Sequence, residues 1–481
     1  MSVTARAILL KPYFCPMNKN NKYYLGLDLG TSSLKGIYKI PGGDSFTAKI
    51  PYSENTVENW LSALEKFFAD TPQEIRKNVG AVSISSQVGT YITEENKVIP
   101  WFSDPGKEEL EIIKNTFSDE ECIDALNMKH PDIISYPLPR LLYLKAHNSG
   151  NVLQMPKELL IRHLTGNFVT DYFSMRGIAD IKKGYAKGML TKLDLSPELP
   201  KLSSPFESAG TVLPSIAKQY GLPEGIRVFS GCNDFFAGLL GMGVYDIGTA
   251  FDISGTSEHF GYISNQRNDS PVSGPYFNGF CSYGGTKSSG TSCDFAIKNF
   301  GKDIDLNFAK DQSTPIFLPY LHGERAPIFD EDARGVFFGI NSSTTKKQMA
   351  YSVFEGVVFS LYDIANSVNL PKPEVLICGG GSAKDVAMNR LRAEIMGCNV
   401  KAVSDNDASA LGASLIAMVG SGVYEDLPQC IKENVSYSEE IKYTGLFTEI
   451  LNKRFEIFKN VYQALKPTFK HYQKIYGGYE K

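Results

Sequence analysis

The first regular pattern along the chain is a run of mostly apolar residues, Tyr-Tyr-Leu-Gly-Leu-Asp at 23–28, which predicts a buried strand. A second strand-like run at 34–40 follows after a short turn of Gly, Thr and Ser. Farther on, apolar residues recur every three or four positions over 57–68, which predicts an amphipathic helix. Strands that alternate with helices in this way indicate an α/β architecture.

The same pattern returns along the rest of the chain. Strand-like runs that end in small residues occur at 81–85, 227–229 and 375–377. A strong helical pattern covers 346–365, and another covers 447–465. A strand that leads into a Gly-Thr-Ser turn occurs twice, near Asp28 and near Ser254, and no tandem repeat of fixed period is present. We therefore expect two related α/β domains.

The composition narrows the class of protein. A length of 481 residues suggests about two or three domains, and 42% hydrophobic and 21% charged residues are typical of a soluble globular protein. A net charge of −4 provides no basic field for nucleic acid, and no apolar run is long enough to cross a bilayer. The 8 cysteines form no C-x-x-C pair, as is typical of a reducing compartment. We expect a cytoplasmic protein that binds neither nucleic acid nor membrane.

The first motif with chemical meaning reads Gly-Leu-Asp-Leu-Gly-Thr-Ser-Ser and places Asp28 at the end of the first strand. The turn at Gly30, Thr31 and Ser32 can direct backbone N–H groups at phosphate, while the carboxylate can hold a hydrated Mg²⁺. The alternative for an isolated motif of this kind is a hairpin with an aspartate at its turn. A second strand and turn, with Gly255 and Thr256, favours two domains that grip one polyphosphate.

Two further segments carry candidate chemistry. Asp234 follows the strand at 227–229 and begins an apolar helix-like run. It is either a helix N-cap or a general base that accepts the proton of an attacking hydroxyl. Three glycines at 379–381 follow another strand, and they either let a flat ring or ribose lie against the backbone or form a flexible turn.

Together these segments resemble the FGGY family of carbohydrate kinases, which has the actin-like ATPase fold. The resemblance covers about 23–422. It is most specific over 323–356, where the chain reads Gly-Glu-Arg-Ala-Pro, then Ala-Arg-Gly-Val-Phe-Phe-Gly-Ile, then Phe-Glu-Gly-Val. The resemblance implies two actin-like (ribonuclease H-like) domains, each with a central mixed sheet, and a cleft for ATP and sugar between them.

The resemblance also implies a role for each matching residue, with ATP and Mg²⁺ as cofactors. Asp28 would hold Mg²⁺ through water, and Asp234 would be the catalytic base. The phosphate contacts would come from Gly30, Thr31, Ser32, Gly255 and Thr256. Gly380 and Gly381 would pack on the adenosine, with Asn389 or Arg390 nearby, since the spacing here is ambiguous by one residue. The sugar site would be formed by Gln87, Asp104, Asn233 and Asp234.

The implied activity is ATP-dependent phosphorylation of a hydroxyl of a small sugar, and a ketopentose such as xylulose is favoured. Xylulose kinases usually read Gln-Met-His-Gly where this chain reads Gln87-Val88-Gly89-Thr90. The sugar's identity is therefore open, and gluconate or another sugar acid or polyol is the alternative substrate. An actin-like ATPase and a catalytically altered regulatory protein are the remaining alternatives.

The expected domain boundaries follow from the same patterns. Residues 1–21 form an N-terminal extension, in which Met17 is an alternative start to Met1. Residues 22–248 form the N-terminal, sugar-side domain, and 249–466 form the C-terminal, nucleotide-side domain. Residues 467–481 form a frayed tail. Self-association as a homodimer is possible for a member of such a family.

Overall fold

The computed structural model describes 22–129, 133–255, 258–268, 272–367, 371–404, 407–438 and 440–476. The chain divides into two compact units, each built from two segments. The first unit contains Met1–Tyr245 and Asp407–Val435, and the second contains Asp246–Asn406 and Ser436–Lys481. The predicted extension at 1–21, including both candidate start residues, lies outside the described residues.

The strands of the first unit are β1 (Tyr23–Leu29), β2 (Ser33–Lys39), β3 (Ser45–Pro51), β4 (Val79–Ser86), β5 (Tyr91–Ile92), β6 (Val98–Ile99), β7 (Val169–Asp171), β8 (Ala179–Asp180), β9 (Gly184–Tyr185), β10 (Lys201–Ser203), β11 (Ser208–Thr211) and β12 (Arg227–Asn233). The strands of the second unit are β13 (Thr249–Ser254), β14 (Glu258–Ser264), β15 (Gly274–Tyr276), β16 (Gly279–Thr286), β17 (Ile316–Leu318), β18 (Val336–Phe338), β19 (Val375–Gly380) and β20 (Asn399–Ala402).

The helices before residue 245 are α1 (Val57–Asp70), α2 (Gln73–Arg76), α3 (Lys107–Thr116), α4 (Asp119–Leu126), α5 (Pro137–Ala146), α6 (Pro156–Thr165), α7 (Lys187–Lys192), α8 (Pro214–Tyr220) and α9 (Asp234–Gly241). The later helices are α10 (Gly290–Phe300), α11 (Lys346–Ser367), α12 (Val386–Met396), α13 (Ala408–Gly420), α14 (Leu427–Asn434) and α15 (Thr448–Tyr476). Short 3-10 helices cover Leu306–Lys310 and Gly381–Lys384.

Among the described residues, the first unit is built on a six-stranded mixed sheet in the order β11-β12-β4-β1-β2-β3. β2 and β3 continue β1 as an antiparallel meander, whereas β4 and β12 run parallel to β1. Helix α1 begins after Thr56, whose hydroxyl accepts a hydrogen bond from the Asn59 N–H, as is common at helix N-termini. Its apolar face buries Trp60 and Phe67, and the Phe67 ring stacks on Tyr38 of β2.

In the second unit, the described strands form a sheet of the same design, in the order β15-β16-β14-β13-β19-β20. β14 and β16 form an antiparallel meander on one side of β13, while β19 and β20 run parallel to β13 on the other side. The two sheets thus share one topology around β1 and β13. This agreement confirms the predicted α/β fold with two related ribonuclease H-like domains.

The segment Asp407–Val435 belongs to the first unit, and in this respect the division differs from the continuous second domain expected over 249–466. Helix α13 lies directly on β1, because a Cβ atom added at Gly26 would stand 2.0 Å from the Ala410 carbonyl oxygen. A Cβ added at Gly412 would stand 1.8 Å from the Ala237 carbonyl oxygen of α9. Small residues therefore allow backbone-level contact between this late segment and the first sheet.

The C-terminal helix also extends beyond its predicted end. We expected helix over 447–465 and a frayed tail from 467, but α15 continues through Pro467 to Tyr476. Phe469 accounts for part of this extension, since its side chain is buried and its ring lies 6.5 Å from that of Tyr462. No helix within the described residues is long and apolar enough to cross a membrane. The cysteines in the described ranges are free thiols.

Candidate active site

Three neighbouring parallel strands of the first unit end at one edge of its sheet, and polar side chains lie at these ends. Asp28 of β1 is the register neighbour of Ser85 on β4, and Asn233 of β12 pairs with the last residue of β4. Gln87 and Asp234 follow immediately after β4 and β12. Because the carboxyl ends of parallel strands share an edge, the fold brings these predicted site residues together.

Asp28 is a buried carboxylate with one defined partner. Its Oδ1 accepts a hydrogen bond of 2.7 Å from the Ser85 hydroxyl. Burial raises the pKa of Asp28 above its ordinary value, the Ser85 bond and Lys35 oppose that rise, and Asp407 adds to it. Lys35 and Asp407 themselves form an ion pair of 3.1 Å. The site therefore holds Asp28 with little compensating positive charge.

Asp234 is the first residue of α9. The N-cap alternative for Asp234 is wrong, because the cap is Asn233, whose amide oxygen accepts from the Phe236 N–H. Oδ1 of Asp234 accepts hydrogen bonds from the backbone N–H groups of Val88, at 3.3 Å, and Phe235, at 2.9 Å. Burial, followed by the nearby charge of Asp28, raises the pKa of Asp234 to about 7. A carboxylate poised near neutral pH has the property that a general base requires.

The side-chain amide of Gln87 links the predicted phosphate-binding turn, at 30–32, to the end of β4. Its Nε2 donates to the Gly30 carbonyl at 3.2 Å and to Oδ1 of Asn55 at 2.8 Å. Asn55 in turn donates to the Thr31 carbonyl at 3.0 Å. The Thr31 and Ser32 side chains are exposed, and Tyr52 hydrogen-bonds both the Gly30 carbonyl and, through its N–H, the Ser32 carbonyl. The predicted turn is thus a fixed element with an outward-facing surface.

An aromatic segment borders this turn. The indole N–H of Trp101 donates to the Thr31 hydroxyl at 3.2 Å, while the Trp101 backbone N–H donates to the Thr90 hydroxyl at 3.2 Å. Arg140 is buried and donates hydrogen bonds to the Pro100 and Ser103 carbonyls, and these bonds hold the aromatic segment at 100–103 in place. Asp104 lies at the exposed end of this segment. Sugar binding by Asp104 stays a prediction.

Asn233, which the resemblance implies as a residue of the sugar site, is held by the protein at both ends of its side-chain amide. Its side chain is buried, its Oδ1 caps α9, and its Nδ2 donates to the Phe173 carbonyl at 3.0 Å. Both ends of the amide therefore have protein partners. Its position beside Asp234 makes it a residue that positions the base, and direct sugar contact by Asn233 stays a prediction.

In the second unit, a pocket of about 470 Å³ lies at the ends of β13 and β19. Gly255 and Gly381 line it, and a Cβ added at Gly381 would meet open space. Gly380 has a different role, which is to let the end of β19 pack closely against the end of β13. Its φ is +86°, and an added Cβ would stand 1.9 Å from the Ser254 carbonyl oxygen. The predicted phosphate ligand Thr256 lies outside the described residues.

Asn389 is buried on α12 with both ends of its amide paired. Its Nδ2 donates to the Ala383 carbonyl at 2.7 Å, and its Oδ1 accepts from Arg392 at 3.0 Å. Met388, one residue earlier, lines the pocket directly. Asn389 thus supports the 3-10 turn that forms the pocket wall, and direct contact between Asn389 and a nucleotide stays a prediction.

A buried ionic cluster lies beneath this pocket, and sequence reasoning missed it. Nε of Arg392 stands 2.7 Å from Oδ2 of Asp252, and its Nη2 stands 2.9 Å from Oε1 of Glu258 and 2.6 Å from the Ser382 hydroxyl. Although burial opposes the charge, the two carboxylates hold the pKa of Arg392 above its ordinary value. The cluster fixes Ser382 at the pocket rim.

The residues that sequence reasoning missed share one property, which is a long separation along the chain from their partners. Ser85 and Asn55 are the partners of the predicted turn, and Trp101 borders it. The signal for Ser85 was its position at the end of the strand predicted at 81–85, two residues before Gln87. The sequence shows no comparable local signal for the ionic cluster of Arg392, because its two carboxylate partners lie more than 130 residues away.

The topology of the two units and the carboxylates at the strand ends define the class of protein, a phosphotransferase of the actin-like ATPase fold. Models of the N-terminal and C-terminal domains of the FGGY family of carbohydrate kinases match 23–241 and 253–421. The chain belongs to the FGGY family of carbohydrate kinases. It is therefore an enzyme that uses ATP and acts on a small-molecule sugar.

Curated relatives match over nearly their whole lengths. The xylulose kinase of Lactococcus lactis subsp. lactis is 28% identical, over 94% of this chain and 97% of the relative. The xylulose kinase of Escherichia coli K12 is 27% identical, over 92% of this chain and 99% of the relative. Among solved structures, a gluconate kinase from Lactobacillus acidophilus gives a TM-score of 0.81 at 24% identity, covering 94% of this chain and 100% of that one. The xylulose kinase from the same organism gives 0.80, also at 24% identity, with the same coverage.

The described residues fit a divalent cation that is held by few protein ligands. Within them, no group of three or more His, Cys, Asp or Glu side chains forms a metal site. Asp28 and Asp234 nevertheless lie close enough that the charge of one raises the pKa of the other. Mg²⁺ binds through one or two carboxylates together with waters and phosphates, so Asp28 alone would be enough to hold it, and Asp234 would stay free to accept a proton.

Proposed function

We propose that the enzyme phosphorylates a ketopentose such as xylulose, with Asp234 as the catalytic base. The observation that supports this most directly is the environment of Asp234. Its carboxylate stands at the carboxyl end of β12, beside Asp28, with a pKa raised to about 7. The family match supplies the reaction class, and the curated relatives named xylulose kinase supply the favoured sugar.

The chemical step follows from the hydrogen bonds of Asp234. Both backbone N–H groups bind Oδ1, so we assign Oδ2 to accept the proton of the sugar hydroxyl. The hydroxyl oxygen then forms a bond to the γ-phosphorus of ATP as the bond to the β-phosphate oxygen breaks and ADP leaves. Asn233 holds α9, and thereby Asp234, in place during the transfer.

Charge neutralisation is the second requirement of phosphoryl transfer. Asp28 would hold Mg²⁺ through water, and the bound ion would neutralise negative charge on the phosphates. Gly30, Thr31 and Ser32, together with Gly255 and Thr256, are proposed to contact phosphate through backbone N–H groups and hydroxyls. Gly380 and Gly381 are proposed to lie against adenosine, with Asn389 as their support.

The choice among sugars depends on the residues around Gln87. Its amide is committed to Gly30 and Asn55, and Thr90 replaces the glycine of the usual xylulose kinase motif, donating to Oε1 of Gln87 at 3.2 Å. The sugar-facing surface is therefore altered while the link to the phosphate turn is kept. Gluconate is the second candidate, because a gluconate kinase has the same fold with a TM-score of 0.81.

The test is ADP release with Mg·ATP across xylulose, other ketopentoses, gluconate and polyols, for wild type, Asp234→Asn and Asp194→Asn. Asp194 is an exposed aspartate of the same unit in a left-handed conformation that asparagine tolerates, so it is a matched control. We expect one sugar to raise ADP release strongly, Asp234→Asn to lower kcat by about 10²–10⁴-fold, and Asp194→Asn to match wild type. Equal rates with and without every sugar, or an active Asp234→Asn variant, would contradict the proposal and favour an ATPase.

Two further expectations accompany this function. A homodimer stays a prediction, and light scattering of the purified protein measures the mass that tests it. A cytoplasmic location also stays a prediction, and fractionation of the producing cells tests it.

A further inference from the structure

A second cavity in the second unit, of about 310 Å³, shares no lining residue with the pocket beside Gly381. Its wall comes from β14, α11, the end of α12 and the start of α15. Phe260, Tyr262 and Tyr362 make its aromatic side, and Glu394 of α12 makes its polar side. This volume is at the lower end of the range for small-molecule sites, about 300–1,000 Å³.

Glu394 is the feature that points to a ligand. Its side chain is only 2% exposed, and its Oε1 accepts from the Thr444 N–H at 2.9 Å and from the Thr444 hydroxyl at 2.6 Å. Its Oε2 is buried and has no hydrogen-bond partner among the described residues. An unpaired buried carboxylate oxygen is costly, so a donor at this position is strongly favoured.

The charges of the lining residues limit the class of ligand that can supply this donor. Glu394 and Lys372 are the charged residues of the cavity wall in the described parts of the chain, and their formal charges cancel. Nζ of Lys372 lies 4.9 Å from the centre of the Tyr443 ring, in a cation–π contact. The buried carboxylate disfavours anions such as sugar phosphates, while the lysine disfavours cations. A neutral ligand rich in hydroxyl donors remains.

We propose that this cavity binds a small, uncharged polyhydroxylated molecule, a free sugar or sugar alcohol, at a site separate from the catalytic one. A hydroxyl donates to Oε2 of Glu394, the aromatic wall covers the C–H face, and the amides of Asn366 and Asn452 line the same cavity. This site lies wholly within the second unit. It does not depend on the assignment of Asp234 in the first unit.

The site has a physical connection to the nucleotide pocket. Helix α12 carries Met388 at that pocket and Glu394 at the cavity, with Arg392 of the buried cluster between them. A helix held at both ends is a direct link, so occupancy of one site is able to alter the affinity of the other.

The test is calorimetric titration of the full-length protein, without ATP, with free pentoses, pentitols, a pentose 5-phosphate and a zwitterionic amino acid. We expect two binding events for at least one neutral sugar or polyol, one catalytic and one at the cavity. Glu394→Gln replaces the unpaired oxygen by an amide donor and is expected to weaken the second event at least about tenfold. Ala365→Phe fills the cavity and is expected to abolish it.

The matched control is Glu456→Gln, an exposed glutamate on the outer face of α15, which should leave both events unchanged. Thermal melting confirms that each variant is folded. The proposal is overturned if no neutral compound shows a second binding event, because Oε2 of Glu394 would then have no ligand as its donor. It is also overturned if the second event survives in both cavity variants, or if the sugar phosphate or the amino acid binds there instead. ADP release assays report on Asp234 separately, so the two proposals fail in distinguishable ways.

Discussion

The two units carry an aspartate at corresponding points of corresponding strands, and they treat it in opposite ways. Asp28 of β1 accepts a hydrogen bond from a serine on the neighbouring parallel strand and lies near a second carboxylate, Asp234. Asp252 of β13 is fully buried and bonded to Arg392, which also binds Glu258. One topology therefore carries an aspartate that we propose to act in the chemistry in one unit and an ion-paired aspartate that holds the structure in the other.

The surroundings of the two aspartates differ because the second unit has one extra residue in its turn and an arginine, Arg392, from a distant part of the chain. Two residues separate Asp28 from Thr31 of its turn, whereas three separate Asp252 from Thr256. The additional Ser254 bonds the end of β19 through the Gly379 carbonyl and the Ser382 N–H, at 3.0 Å each. An aspartate that is ion-paired beneath a site holds the walls of that site, whereas a buried aspartate whose partner is a serine hydroxyl, as Asp28 is, is available to bind a ligand.

The largest expected effect separates these two roles directly. Asp28→Asn removes the proposed Mg²⁺ carboxylate and is expected to lower kcat about a thousandfold, or about 4 kcal/mol, while the protein stays folded. Asp252→Asn removes a carboxylate from the buried cluster and is expected to lower the melting temperature with kcat within about threefold of wild type. Steady-state ADP release and thermal melting measure both variants. An Asp252→Asn enzyme that is as inactive as Asp28→Asn would show that the second aspartate is also catalytic.

Arg392→Met is expected to destabilise the protein by about 3 kcal/mol, because it leaves Asp252 and Glu258 buried without their shared cation. Denaturant unfolding gives the free energy, and Arg390→Met, at an exposed position on the same helix, is the control. Combining Arg392→Met with Asp252→Asn and Glu258→Gln should recover part of the loss. A single variant as stable as wild type would mean that the cluster contributes no net stability.

The adjacent glycines at the end of β19 sharpen the comparison within the second unit. Gly380→Ala is expected to cost about 2 kcal/mol of stability, since φ is +86° and the new Cβ would overlap the Ser254 carbonyl. Gly381→Ala meets open space and is expected to leave stability nearly unchanged while raising the KM for ATP. Melting temperatures and ATP saturation curves separate the two effects. Equal ATP affinity in Gly381→Ala and wild type would argue against adenosine at this position.

Local sequence patterns were enough to predict the strands that carry the site, because each of these patterns depends only on residues that are close together in the sequence. Residues 57–68 show helical spacing after Thr56, and α1 begins there, at Val57. The strand runs ending near Asp28 and at 375–377 correspond to β1 and β19, although β19 continues to Gly380. Each of these signals lies within one element and its turn.

The partners of the site residues could not be predicted, because they depend on tertiary contacts. Arg392 lies on a helix whose local pattern gives no sign of Asp252, and the pairing exists only once β13 and α12 are packed. In the same way, the return of α13 to the first sheet depends on Gly26 and Gly412 meeting backbone from distant segments. Asn233 was expected as a sugar ligand beside the base, but only the geometry of the first turn of α9 revealed its capping role.

The smallest expected effect concerns pH. Asp234 must be ionised to accept a proton, so kcat/KM should fall as the pH falls through about 7. The charge of Asp28 contributes to that raised pKa, so Asp28→Asn should move the acidic limb of its residual activity to lower pH, by about half a unit, whereas Asp252→Asn should not. Profiles of kcat/KM from about pH 5 to about pH 9 measure the limb.

The raised pKa of Asp234 also affects stability, but in the opposite direction: ionisation of Asp234 is expected to increase activity and to decrease stability. Because the folded protein binds the Asp234 proton more tightly than the unfolded chain, Asp234 destabilises the fold as the pH rises from its ordinary pKa of 3.8 to about 7. Asp234→Asn should therefore raise the melting temperature at about pH 8 and change it little at about pH 4. If Asp234→Asn differs from wild type by the same amount at both pH values, the charge of Asp234 is well solvated. The first unit would then hold its proposed catalytic aspartate without the energetic cost that Arg392 offsets for Asp252 in the second unit.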